Sequence, residues 1–124
     1  MAKHNEIGAW GESLARDLLI TKGYAIVGTN ISIGKNELDI VAMKDDRIVF
    51  VEVKTRSDDF DDPLNALDTA KIRHLTRAAD SYVRAYNIPH EIQFDVIVVI
   101  GTPEGEHTIT HYADAFRAPI GGFI

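Results

Sequence analysis

The chain contains no cysteine, which excludes disulfide bridges, thiolate metal sites and cysteine nucleophiles at once. No apolar stretch approaches the ~18 residues that would span a bilayer. The start, Met-Ala-Lys-His-Asn-Glu, carries no apolar signal region. Cytoplasmic residence with no membrane partner is therefore the expectation. Positive charge is also scarce, with 13 lysines and arginines against 19 aspartates and glutamates and a formal charge of −6. Domains that bind nucleic acid in bulk are usually basic, so this balance counts against such a binder. It does not exclude one, because metal-binding carboxylates make a chain look more acidic than its loaded form. No internal repeat, linker or low-complexity segment occurs, and the five histidines show no close metal-ligand spacing. His107 and His111 share one face of a predicted strand, where ordinary packing accounts for them.

What remains is the balance of a globular protein: 124 residues, 45% hydrophobic and 26% charged. That length makes one domain, residues 1–124, able to bury about two-thirds of its unfolded surface without staples. The stretch from Asn36 to Arg56 organises it. Two apolar, β-branched runs, Leu38-Asp39-Ile40-Val41-Ala42-Met43 and Ile48-Val49-Phe50-Val51, flank a polar break from Lys44 to Arg47, the pattern of a β-hairpin. Alternation along a strand puts Glu37, Asp39 and Val41 on one face and Leu38, Ile40 and Ala42 on the other. It likewise groups Ile48, Phe50, Glu52 and Lys54 against Val49, Val51 and Val53. Glu52 and Lys54 then stand roughly 6–7 Å apart at the end of an apolar strand. Charge in that position is costly without a partner or a metal. Spacing alone leaves open an edge-strand salt bridge, a solvated strand end, or a metal site completed by Asp39 and by Glu12 upstream.

Around the hairpin, residues 5–22 read as an amphipathic helix with Ile7, Trp10, Leu14 and Leu18 on its apolar stripe, Asn5 as cap and Gly23 as stop. Glu12 flanks that stripe beside Gly8, Ala15 and Leu19. Small residues there would let the helix approach a sheet closely; the alternative is a solvated face. Tyr24 to Ile31 forms a first strand and Ser32–Asn36 a turn. The loop from Arg56 to Asn65 carries Asp58, Asp59, Asp61 and Asp62. It lacks the glycine and terminal glutamate of a calcium-binding EF-hand loop, and reads as a solvated loop able to act as a lid beside a groove. Residues 66–87 form the longest helix, entered at Asp68 or Asp62-Pro63. Ile72, Leu75, Ala79, Tyr82 or Val83, and Tyr86 form its buried stripe. Lys71, Arg73, His74, Arg77 and Arg84 lie on its other faces, the one concentration of positive charge able to meet a phosphate backbone. Residues 92–100 read as a strand covered on both faces, and 107–112 as a short last strand. The apolar, Gly- and Pro-containing end, 116–124, packs on the body or on a second subunit. The order is helix, three strands, helix, two strands: an α/β fold with a mixed sheet flanked by helices.

This αβββαβ order, with an acid in the first helix, an aspartate on the second strand and Glu-x-Lys on the third, resembles the PD-(D/E)XK nuclease superfamily. More narrowly, Gly8-x-x-Gly11-Glu12, Glu37-Leu38-Asp39, Phe50-Val51-Glu52-Val53-Lys54-Thr55-Arg56 and Phe94-Asp95-Val96 resemble a bacterial family of uncharacterised YraN-like proteins, related to the archaeal Holliday junction resolvases. The similarity covers residues 5–116. Asn36 departs from it, standing where that family usually has glycine, but asparagine tolerates the same turn conformation. The resemblance implies a restriction-endonuclease-like core and a magnesium- or manganese-dependent endodeoxyribonuclease, acting on DNA that includes branched forms. It further implies that Asp39, Glu52 and the backbone carbonyl of Val53 bind the metal, with Glu12 adding a carboxylate directly or through water. Glu37 would support those ligands from the same face as Asp39. Lys54 would orient the attacking water or stabilise the transition state. Lys71 and Arg56 would hold the DNA backbone, with Arg73 and Arg77 extending the contact. Junction resolution would call for a homodimer. Two other readings stay beside it: a non-catalytic nucleic-acid-binding module on the same fold, and an interaction scaffold whose acids are structural.

Overall fold

The computed structural model describes residues 4–57 and 67–117. Its elements run in the expected order: α1 (His4–Thr21), β1 (Ala25–Ile33), β2 (Asn36–Lys44), β3 (Arg47–Arg56), α2 (Thr69–Ala85), β4 (Glu91–Gly101) and β5 (His107–Phe116). The fold is α/β, a five-stranded mixed sheet in the order β1-β2-β3-β4-β5 flanked by two helices, an arrangement compatible with a restriction-endonuclease-like core. Every neighbouring pair is antiparallel except β3 and β4, which run parallel and are joined through α2. The hairpin closes where the sequence predicts, with Lys44 paired to Arg47. Asp45 takes a positive φ of 54°, a region that aspartate visits more readily than most residues.

Two apolar cores lie on opposite faces of the sheet. Ala15 and Leu19 of α1 pack on Ile40, Ala42, Val49, Val51, Ile97 and Val99. Leu75, Ala78, Ala79 and Tyr82 of α2 pack on Val41, Ile48, Phe50 and Phe94. Alternation therefore sorts β3 as expected. On β2 it slips at one residue, because Leu38 joins the α2 side while Ile40 and Ala42 face α1. Residues Gln93 to Val99 of β4 are all buried, as expected for a strand covered on both faces.

Other expectations shift. The deepest line of α1 is Gly11, Ala15 and Leu19 rather than Ile7, Trp10, Leu14 and Leu18, because the small residues let the helix axis drop onto the sheet. Gly11 makes the close approach: a methyl group there would collide with Thr55 Oγ1, whereas at Gly8 it would meet nothing within 4 Å. The described helix runs from His4, so Asn5, the expected cap, lies inside its first turn. Asp68 caps α2, its carboxylate accepting the Lys71 backbone N–H at 2.8 Å. Tyr86 leans on Tyr82 with the rings tilted at 43° but remains 62% exposed, one residue beyond the helix. The first turn tightens to Gly34-Lys35, because β1 continues to Ile33, paired with Asn36. The last strand runs on to Phe116, past Asp114 at φ 53°, and Phe116 stacks on Phe94 at 4.7 Å. The acidic loop Asp58–Asp62 with its lid role, Pro63, and residues 118–124 lie outside the described residues.

Candidate metal and phosphate site

The ladder between β2 and β3 runs from Lys44↔Arg47 to Ile40↔Val51 and stops there. One position further on, the Val53 N–H donates to Asp39 Oδ2 at 2.9 Å. A side chain thus takes the place of a backbone acceptor, and the strands part at the end of β3 where Glu52 and Lys54 lie. The same interruption brings the Asp39 and Glu52 carboxyl groups into hydrogen-bonding contact. Burial, then the neighbouring Glu52 charge and that hydrogen bond, push Asp39 up to about 7, against the opposing pull of the Val53 N–H and Lys71. Two carboxylates crowded together in a half-buried spot form a pair that a cation stabilises.

The helices approach this strand end from opposite faces. From α2, Lys71 Nζ lies 2.8 Å from Glu52 Oε2. Although burial works against its charge, the bond to Glu52 and the charges of Glu52, Asp39 and Asp68 raise the lysine further above its ordinary value. A groove of about 300 Å³ opens here between Asp39, Lys71, His74 and Lys35. From α1, Glu12 lines a second groove of about 530 Å³ with Val53, Lys54, Thr55 and Arg56. Burial and then the Asp39 charge raise Glu12, while a hydrogen bond from the Asn30 side chain lowers it, and Glu37 adds a smaller upward push. Asn30 stands opposite Asp39 in β1, between the pairs Thr29↔Ile40 and Ile31↔Leu38, with a positive φ of 51°.

The structure thus pairs Asp39 with Glu52 and sets Glu12 within electrostatic reach of Asp39. Among the described residues, however, no three acidic or histidine side chains close on one point as a metal cluster. Lys54 is exposed and opens onto the Glu12 groove, away from the one holding Lys71. Glu37 is exposed and borders the groove that contains Asp39. Arg56 lines the Glu12 groove. Arg73 and Arg77 sit on the exposed side of α2 and line neither groove.

The most heavily bonded acid lies elsewhere. Asp95 on β4 is buried on the α1 side and accepts four hydrogen bonds: from Tyr24 Oη (2.8 Å), His111 Nε2 (2.7 Å), Gln93 Nε2 (2.8 Å) and the Asp114 N–H (2.9 Å). Lys22 Nζ stands 2.9 Å from His111 Nδ1. An ammonium can only donate, so Nδ1 is the acceptor and the ring proton on Nε2 goes to Asp95. All four of these bonds join protein groups, which makes Asp95 a structural hub and not a candidate ligand.

The profile of the uncharacterised protein family UPF0102 matches residues 11–99. The chain belongs to this family. A UPF0102 protein of Parabacteroides distasonis is 47% identical over 120 residues, 96% of this chain and 98% of the relative. One from Flavobacterium psychrophilum is 44% identical over 117 residues (94% and 98%), and one from Syntrophomonas wolfei 43% over 115 (91% and 99%). In this UPF0102 chain no described helix is long and apolar enough to cross a membrane.

Two participants at the UPF0102 site, Lys35 and Asn30, had escaped sequence reasoning, which had already named His74 among the basic residues of α2. Lys35 borders the Lys71 groove, and Asn30 bonds Glu12. Lys35 and Asn30 are ordinary polar residues of a turn and a strand, with no pattern that marks them. His74, read from the sequence among the cations of α2, follows Lys71 by three residues, a helical spacing that puts both on one side of the helix, and both line that groove.

Proposed function

We propose that this UPF0102 protein is a metal-dependent endonuclease hydrolysing DNA phosphodiester bonds, with branched DNA among its substrates. The observation that supports it best is the Asp39–Glu52 contact at the interrupted ladder, with Glu12 and Lys54 on one side and Lys71 on the other. An all-oxygen donor pair that is mutually repulsive and half-buried fits magnesium or manganese better than zinc. When bound, such an ion supplies Lewis acidity, polarising the phosphoryl group and making water a stronger acid.

The chain's own residues divide the remaining work. Asp39 and Glu52 would hold the ion. The bond from the Val53 N–H to Asp39 fixes the backbone between Glu52 and Lys54, so the Val53 carbonyl is a further candidate ligand. Glu12, whose proton affinity is raised, would accept a proton from water or bind the ion through water. Lys54, exposed in the same groove, would face the extra negative charge of the transition state. Lys71 and Arg56 would hold the phosphate backbone beside the scissile bond, and Arg73 and Arg77 more distant phosphates. Such an enzyme works in the cytoplasm, and two cuts in a junction would require a homodimer.

The test is cleavage of duplex, flap and four-way-junction DNA with magnesium or manganese. Glu52→Gln and Lys54→Met are expected to lower the rate at least ~100-fold, the scale of losing a principal electrostatic group. Undiminished cleavage by either variant, or in chelator, removes that residue or the metal from the mechanism. A non-catalytic nucleic-acid-binding module is favoured by one observation, the absence of a closed three-acid cluster among the described residues. On that reading, salt-sensitive DNA binding persists in wild type and Glu52→Gln alike, with no substrate cut.

A further inference from the structure

We infer that Lys71 is a built-in counter-cation which a divalent metal displaces from Glu52, handing its ammonium to the DNA backbone. The inference rests on reading Asp39 and Glu52 as metal ligands, and adds a coupling between loading the metal and gripping the phosphate. Lys71 Nζ sits 2.8 Å from Glu52 Oε2, on an oxygen that a metal would also need. The two sides of that ion pair are unequally held. The Glu52 side chain is 11% exposed and that of Lys71 43%, so the lysine is the partner free to leave.

Its departure leaves α2 intact. Asp68 caps the helix through the Lys71 backbone N–H, not through the side chain. An ammonium committed to Glu52 cannot also neutralise a phosphate at full strength. A dication answers the Asp39–Glu52 pair with twice the charge, so lysine and metal are alternative occupants of one electrostatic position. Once displaced, Lys71 swings out from a first-turn position. It remains in the groove it already shares with Lys35 and His74, where three basic side chains would line a phosphate path. The order of events follows: metal first, then a firmer grip on DNA.

The test reads binding and lysine chemistry, not cleavage. Manganese is titrated calorimetrically into wild type, Lys71→Met and Lys71→Arg without DNA. Removing a competing charge at a partly exposed site is expected to tighten manganese binding roughly three- to tenfold in Lys71→Met, with Lys71→Arg close to wild type. In parallel, acetic anhydride labelling of the wild type is followed by mass spectrometry. Lys71 acetylation is expected to speed up several-fold on adding magnesium. Lys44, whose ammonium bonds the Lys22 carbonyl at 3.1 Å, serves as the unchanged control. The labelling arm needs no variant to fold. Equal manganese affinities in wild type and Lys71→Met, or Lys71 labelling indifferent to magnesium, overturn the displacement while leaving the metal site standing. Failure of both proteins to bind manganese overturns the metal reading and the displacement with it.

Discussion

Replacing Asp95 with asparagine separates the acid that holds this fold together from the acids proposed to do chemistry. The carboxylate accepts two hydrogen bonds on each oxygen, from Gln93 and the Asp114 N–H on one, and Tyr24 and His111 on the other. Asparagine keeps one acceptor oxygen and turns an NH2 toward two of those donors. Hydrogen bonds to a charged group contribute about 1.5–3 kcal/mol each, so losing two amounts to about 3–6 kcal/mol before relaxation. The Tyr24 hydroxyl can rotate to accept instead, whereas His111 can change tautomer only by giving up the bond from Lys22. Partial relaxation of this kind brings the expected loss to about 2–4 kcal/mol, a large share of an ordinary domain's 5–15. Urea unfolding followed by the fluorescence of Trp10, the only tryptophan, measures it, and the melting temperature should fall by roughly 8–20 °C. The dependence on pH has a definite sign. Burial alone would raise Asp95, but the bonds from His111, Asp114, Gln93 and Tyr24 hold it below the ordinary value of 3.8. A carboxyl whose folded value is lowered stabilises above its unfolded value, and that stability is lost as the pH falls through the folded value. The gap between wild type and Asp95→Asn should therefore close below about pH 4. A loss under ~1 kcal/mol at pH 7, or a gap that widens in acid, would refute the reasoning.

Two further outcomes concern the strand end. Gly11→Ala should lose about 1–3 kcal/mol by forcing Thr55 to move, despite alanine's better helix propensity. Gly8→Ala, in open space, should gain up to about 1 kcal/mol; equal thermal melts would remove the close approach of α1 to β3. Asp39, raised to about 7 by burial and then by Glu52, stabilises the fold most when protonated. Without added metal, the melting temperature should fall as pH rises from 5 to 8, and Asp39→Asn should flatten that slope. Metal binding needs the ionised form, so manganese affinity should rise about tenfold per unit up to pH 7 and level off above it. A calorimetric profile that is flat from pH 6 to 8 would take Asp39 out of the ligand set.

Much of the fold was legible because hydrophobic periodicity reports which residues face a core. The hairpin, both helices and the doubly buried β4 follow from apolar runs whose spacing has a single low-cost reading. Its failures come from contacts between distant segments. The centre of the α1 face moved to Gly11, Ala15 and Leu19, because small residues mark a close approach only once the partner, here Thr55, is known. β5 outlasted its sequence pattern because the Asp114 N–H finds an acceptor in Asp95, 19 positions away. At the site, Asp39 and Glu52 were legible as acids on apolar strands. That Leu38 leaves the alternation and Asp39 substitutes for a backbone acceptor depends on where the ladder stops, and no local residue type encodes it.

The interrupted ladder also accounts for why charge is tolerated here. A regular continuation of β2 against β3 would satisfy the Val53 N–H with a backbone carbonyl, leaving Asp39 and Glu52 as adjacent charges without compensation. With the Asp39 carboxylate taking that N–H, one acid answers a backbone requirement and Lys71 answers the other. The strands part enough to admit grooves from both faces. Asp95, one strand away and paired in register with Val51, meets the opposite fate: every one of its bonds goes to protein, and it lies on the other face of the sheet. Two buried acids on neighbouring strands thus differ in how many of their partners the protein supplies. The pair at the strand end, left crowded and half-neutralised beside open grooves, is where an added cation has most to stabilise.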